Sequence, residues 1–172
     1  MMRKSSLLVA VAMIALFAVP SVFADMSRKD KKFMEKAAAG GTAEVTVGKL
    51  ATEQASMDEV KKFGQMMVDD HSKVNKELGD FAKSREVDLK DGMEEGTKDA
   101  QKMTVKLEKK MGSDFDKAYL DAMVDDHEKD VKEFEDAVKN CDDAVLKDWA
   151  AKTLPTLKQH LQMAKDLRAK MQ

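Results

Sequence analysis

The sequence predicts an all-α protein: a bundle of four long helices, arranged as two antiparallel hairpins joined by a partly helical crossover. Three observations carry that expectation. Ala, Lys, Glu, Leu, Met and Asp dominate, and Pro155 alone interrupts the chain beyond residue 25, a composition that favours helix over sheet. Four long segments repeat apolar residues at spacings of three and four, the mark of helices that bury one stripe. Finally, the links after the first and third segments are short, whereas the middle link is long. This is the connectivity of ferritin-like bundles. A five-helix up-and-down bundle is the rival layout.

The first element is not part of the bundle. Residues 1–24 read as a secretory signal, with basic Arg3 and Lys4, an apolar run from Leu7 to Val19, and Val22-Phe23-Ala24 before Asp25. The run is about 13 residues, too short for the roughly 20 of a membrane-spanning helix, and nothing later is as apolar. Cleavage after Ala24 leaves a domain of residues 25–172, soluble in the periplasm or secreted, with no integral membrane segment. Of 30 basic and 32 acidic residues, 28 and 32 remain, a net charge near −4. Both signs are mixed along every segment, which excludes nucleic acid as a partner. The single cysteine, Cys141, has no internal disulfide partner and reads as a free thiol.

The first helix is expected over Ser27 to Ala55, with Phe33, Ala37, Gly40, Val47 and Ala51 on its stripe. Ser56 and Glu59 stand in capping-box spacing and open a second helix to Arg85, with Val60, Phe63, Met67, Val74, Leu78 and Phe81 inward. The crossover, residues 86–113, holds Gly92 and Gly96 and then a moderately helical stretch from Thr97 to Met111. The next long helix runs from Asp114 to Lys139 and the last from Asp142 to Met171, where Pro155 predicts a kink. Met67-Val-Asp-Asp-His71 recurs as Met123-Val-Asp-Asp-His127, 56 residues later.

The chain has three histidines, each on the apolar stripe of a different long helix. His71 lies between Met67 and Val74, His127 between Met123 and Val131, and His160 between Leu157 and Ala164. The first helix adds Glu44, between Gly40 and Val47. At 1.5 Å per residue, Glu44 and His71 differ in height by roughly 3 Å across the first turn, and His127 and His160 by roughly 7 Å across the last. Buried groups of this kind must satisfy one another, water or a metal ion. Three imidazoles and a carboxylate are the ligand types of Fe, Zn or Cu, with Asp70 and Asp126 placed to orient imidazoles from behind. A metal-free hydrogen-bonded His–Glu network is the other reading. Met67 and Met123, four residues before a histidine, read as core filler rather than thioether ligands.

The Glu-x-x-His pairs of di-iron bundles are missing, since the residues three before the histidines are Val68, Val124 and Leu157. No haem motif, phosphate loop or nucleophilic triad is present, so no catalytic residue is assigned. The segments AAGGTAEVTVGKLA (Ala38 to Ala51), VKKFGQMMVDDH (Val60 to His71), FDKAYLDAMVDDH (Phe115 to His127) and LPTLKQHLQMA (Leu154 to Ala164) resemble the bacterial exported family called domain of unknown function 4142. The resemblance implies a ferritin-like fold, with recurring polar positions at Glu44, Asp70, His71, His127 and His160. It implies no established reaction. Members are often labelled outer-membrane proteins, a label that finds no β-barrel alternation here. Two functions are expected to compete: an exported bundle holding one transition-metal ion for storage, buffering or redox protection, and a non-catalytic envelope or stress protein with a metal-free polar core. An enzyme using Glu44 as a base is the weaker third.

Overall fold

A computed structural model of the protein describes residues 25–171. The expected signal segment lies outside them. Five helices follow one another: α1 (Arg28–Gln54), α2 (Asp58–Ser84), α3 (Lys90–Leu107), α4 (Gly112–Asn140) and α5 (Ala144–Ala169). No strand occurs among the described residues. No helix among them is long and apolar enough to cross a membrane. The principal packing partners are α1 with α2, α4 with α5, and α3 with α1; α1 also meets α4, and α2 meets α5.

The four long helices end within two residues of their expected limits, but the crossover departs from expectation. It carries an 18-residue helix that begins at Lys90 and runs through both Gly92 and Gly96. Local propensity marks these glycines as breaks, yet tertiary contact requires them. A Cβ on Gly92 would stand 2.4 Å from the Glu35 carbonyl oxygen, and one on Gly96 would stand 2.2 Å from that of Ala39. Thus α3 lies backbone to backbone on α1. The same device joins α1 to α2, where a Cβ on Gly48 would come within 2.9 Å of the Gly64 carbonyl.

Helix ends show a second departure. Ser56 does not cap α2: Met57 holds the cap position without a side-chain bond. Instead, Ser56 Oγ donates to Asp116 at 2.5 Å, and the amides of Ser56 and Met57 donate to the same carboxylate at 2.8 and 2.9 Å. A carboxylate accepting two amides and a hydroxyl outcompetes a local cap, because bonds to a charged acceptor are the stronger ones. The mirror arrangement closes the other turn. Asp30, on α1, accepts from the amides of Asp142 (3.1 Å) and Asp143 (2.9 Å). Both aspartates are buried. Each turn is therefore pinned by the first helix of the other pair. Helix α5 passes unbroken through Pro155.

The apolar core has two parts. One surrounds Val47, Phe63, Met67, Tyr119, Met123 and Leu167. The other surrounds Phe33, Leu78, Phe134, Leu146 and Leu157, where the Phe33 and Phe134 rings meet edge to face at 5.0 Å. Met67 and Met123 belong to the first part as packing residues. Between the two parts, each long helix contributes one buried polar residue: Glu44, His71, His127 and His160.

Candidate functional site

The structure brings the four predicted residues into one layer. The His71, His127 and His160 rings form a near-equilateral triangle, with centroids 5.5, 5.3 and 5.4 Å apart. One ring nitrogen from each lies within 4.8 Å of the other two.

The proton positions follow from the acceptors. His127 Nδ1 lies 3.0 Å from the Met123 carbonyl, which can only accept, so Nδ1 carries the proton and Nε2 presents a lone pair. His160 Nε2 donates to Asp70 Oδ2 at 2.9 Å, which leaves Nδ1 with the lone pair. Those two lone-pair nitrogens, His127 Nε2 and His160 Nδ1, face one another at 3.4 Å. His71 Nδ1 pairs with Glu44 Oε2 at 2.8 Å, and its Nε2 has no hydrogen-bond partner. Glu44 Oε1 lies 3.2 Å from His127 Nδ1, whose proton is directed to Met123, and the Glu44 carboxyl shares a hydrogen bond with the carboxyl of Asp130.

Burial sets the charges. It pushes the imidazoles down, His71 to about 4 and His127 to about 3, the latter helped by the neighbouring rings. His160 is also lowered by burial, against its bond to Asp70. All three are thus neutral near pH 7. Burial and the charge of Asp126 raise Glu44 to about 8. Burial, with Glu44 next in effect, also holds Asp130 well above the ordinary carboxylate range.

Asp70 holds His160, whereas Asp126 reaches none of the rings and pairs with Lys129 at 3.3 Å. Asp130, which sequence reasoning missed, approaches Glu44 and His127 closely enough that one ligand atom from each lies within 4.8 Å of the others. A signal for it existed, since Asp130 lies three residues after His127 and so on the same face of α4.

Fold and site together define an all-helical bundle with a buried histidine–carboxylate layer. Residues 20–167 match the family described as Domain of unknown function (DUF4142), and the chain belongs to that family. No curated protein matches it. Among solved structures, the chain is similar to a DUF305 protein from Streptomyces coelicolor, classed as secreted by inference. The TM-score is 0.71 at 14% identity, covering 83% of this chain and 93% of that one. Likeness at that identity speaks to the fold alone.

Proposed function

We propose that this chain is an exported ferritin-like bundle whose polar layer holds one transition-metal ion on His71, His127 and His160, for storage, buffering or redox protection. In this reading residues 1–24 are a signal peptide removed after Ala24, and 25–172 form the working domain in the periplasm or outside the cell. The helices then make two antiparallel hairpins, α1–α2 and α4–α5, with α3 as the crossover. Glu44, expected from sequence as a fourth ligand, acts from behind His71 as an orienting acceptor, as the Met123 carbonyl and Asp70 do for His127 and His160.

The single observation that carries the reading is the 3.4 Å separation of His127 Nε2 and His160 Nδ1. Two lone pairs facing at that distance make no hydrogen bond and repel. Nitrogens each about 2.05 Å from a tetrahedral ion stand about 3.3 Å apart, so an ion between them turns the repulsion into coordination. A neutral, nitrogen-only donor set suits Zn or Cu before Fe. The three rings are buried, which suits retention of an ion rather than turnover of a substrate.

The test is metal analysis of protein purified without an affinity tag and reconstituted with Zn2+, Cu2+ or Co2+, alongside His71→Ala. The expected result is about one equivalent bound with a rise in melting temperature, both lost in the variant. Binding of less than about a tenth of an equivalent, with no thermal shift, would leave the metal-free structural core as the correct account.

A further inference from the structure

The charges at the start of α1 are mixed in sequence but separate in the fold. Arg28, Lys29, Lys32 and Lys36 are exposed, whereas Asp30 is buried and accepts from the amides of the turn before α5. Arg28, Lys32 and Lys36 stand four residues apart and so form one column about 12 Å long. That column, with Lys29 beside it and Lys132 on α4, borders a groove of about 630 Å3 between α1 and α4. Phe33, Ala137 and Cys141, all buried, make an apolar floor. The acids on the groove are Glu133 and Asp136. Glu133 is taken by Lys36, and Asp136 accepts from the Asn140 amide at 2.6 Å. Lys29 pairs with Asp142 at 2.8 Å, outside the groove lining. Among the described residues, Arg28, Lys32 and Lys132 form no salt bridge. Glu128 lies within electrostatic reach of Lys132 but is bonded to Lys165 at 2.7 Å. Like charges four residues apart on a helix repel, so the column is held at a cost. A chain of net charge −2 thus keeps an uncompensated group of cations at one groove.

We infer that this groove binds a free, single-chain anionic amphiphile, a long-chain carboxylate, with its head among Arg28, Lys32 and Lys132 and its chain along Phe33, Ala137 and Cys141. Charge and shape each contribute. Three uncompensated cations call for an anion, and an apolar floor calls for hydrocarbon; a carboxylate on an alkyl chain offers both. The volume falls within the roughly 300–1,000 Å3 of small-molecule sites. An anionic bilayer carries the same chemistry, but holding to one requires apolar side chains that protrude into it. The large exposed apolar residues are Met93, Val105, Met111 and Val145, and none of them lines this groove. The groove therefore fits a molecule that enters it, not a surface that it must enter. It shares no lining residue with the histidine layer and does not depend on an ion there.

The probe is cis-parinaric acid, a fatty acid that fluoresces in apolar surroundings and accepts excitation energy from tryptophan. Trp149 is the only tryptophan, and its ring lies 6.1 Å from that of Phe33 in the groove floor. Wild-type protein is expected to bind about one equivalent below about 0.1 mM, with quenching of Trp149. Lys32→Glu and Lys132→Glu, both at exposed positions, are each expected to weaken binding about fivefold, and the double variant about 25-fold. The methyl ester of the probe keeps the chain and loses the charge, and is expected to bind at least about fivefold more weakly than the acid. Lys109→Glu, exposed in the link between α3 and α4 and not on the groove, is expected to bind as wild type does. Absence of energy transfer at about 0.1 mM overturns the inference. So do equal affinities for acid and ester, wild-type affinity in the double variant, or an equal loss in Lys109→Glu. Uptake by phosphatidylglycerol vesicles without binding of the free acid also overturns it, because the cations would then serve a membrane contact.

Discussion

Two substitutions of identical chemistry should move stability in opposite directions. Gly79 and Gly96 both lie inside helices, and alanine is the better helix former by about 1 kcal/mol at either place. A Cβ on Gly79 meets nothing within 4 Å. Gly79→Ala should therefore stabilise the protein by about 0.5–1 kcal/mol. A Cβ on Gly96 would stand 2.2 Å from the Ala39 carbonyl, while ordinary contact begins near 3.4 Å, so about 1.2 Å must open between α3 and α1. The obstacle is backbone, which cannot swing aside as a side chain does. Overpacking of this kind costs about 1–3 kcal/mol, and after the propensity gain Gly96→Ala should destabilise by about 1–2 kcal/mol. Urea unfolding followed by circular dichroism measures both, with the midpoint moving and the slope unchanged if both variants remain two-state. A Gly96→Ala variant as stable as Gly79→Ala would refute the backbone-to-backbone seating of α3.

Three further outcomes follow from other parts of the molecule. Asp116→Ala leaves the Ser56 and Met57 amides and the Ser56 hydroxyl without their acceptor, and should lower stability by about 3 kcal/mol, whereas Asp121→Ala on the same helix should cost under about 1 kcal/mol; denaturant titration distinguishes them. Burial, followed by the charge of Asp30, pushes the Cys141 thiol up to about 12, so a disulfide reagent at pH 8 should label native protein far more slowly than urea-unfolded protein. Equal rates would place the thiol outside the fold described. Finally, metal on His71 Nε2 requires its Nδ1 to donate to ionised Glu44. Because Glu44 is raised to about 8, it carries its proton at pH 7. Binding should therefore release about one proton at pH 7 and almost none above about pH 9, with affinity rising from pH 6 to pH 8 and then levelling. Calorimetry in buffers of different ionisation enthalpy counts that proton, and a count of zero at pH 7 would contradict the Glu44–His71 arrangement.

What sequence periodicity conveys is which residues face inward, and it did so for the three histidines and Glu44, each flanked by apolar residues one turn away. What it does not convey is the neighbour on the far side. Gly92 and Gly96 break a helix in isolation and are required in one pressed against α1. Ser56 has the spacing of a cap, but Asp116, 60 residues on, offers a charged acceptor instead. The repeated Met-Val-Asp-Asp-His makes the same point. The second aspartate of the first copy, Asp70, orients His160, whereas its equivalent, Asp126, turns to Lys129. Identical pentapeptides take different roles because Asp70 meets His160 on α5, whereas Asp126 lines the cleft that α4 forms with α1 and α3.

The reciprocal placement of Asp30 and Asp116 decides how small a working piece of this chain can be. Each carboxylate finishes a turn to which it does not belong, across sequence separations of 112 and 60 residues. A fragment containing only α1 and α2 would leave the amides of its own turn bare, and one containing only α4 and α5 would do the same. Neither half is a minimal unit. Halves produced as separate chains should acquire their full helical order only when mixed, and the intact bundle should unfold in a single step.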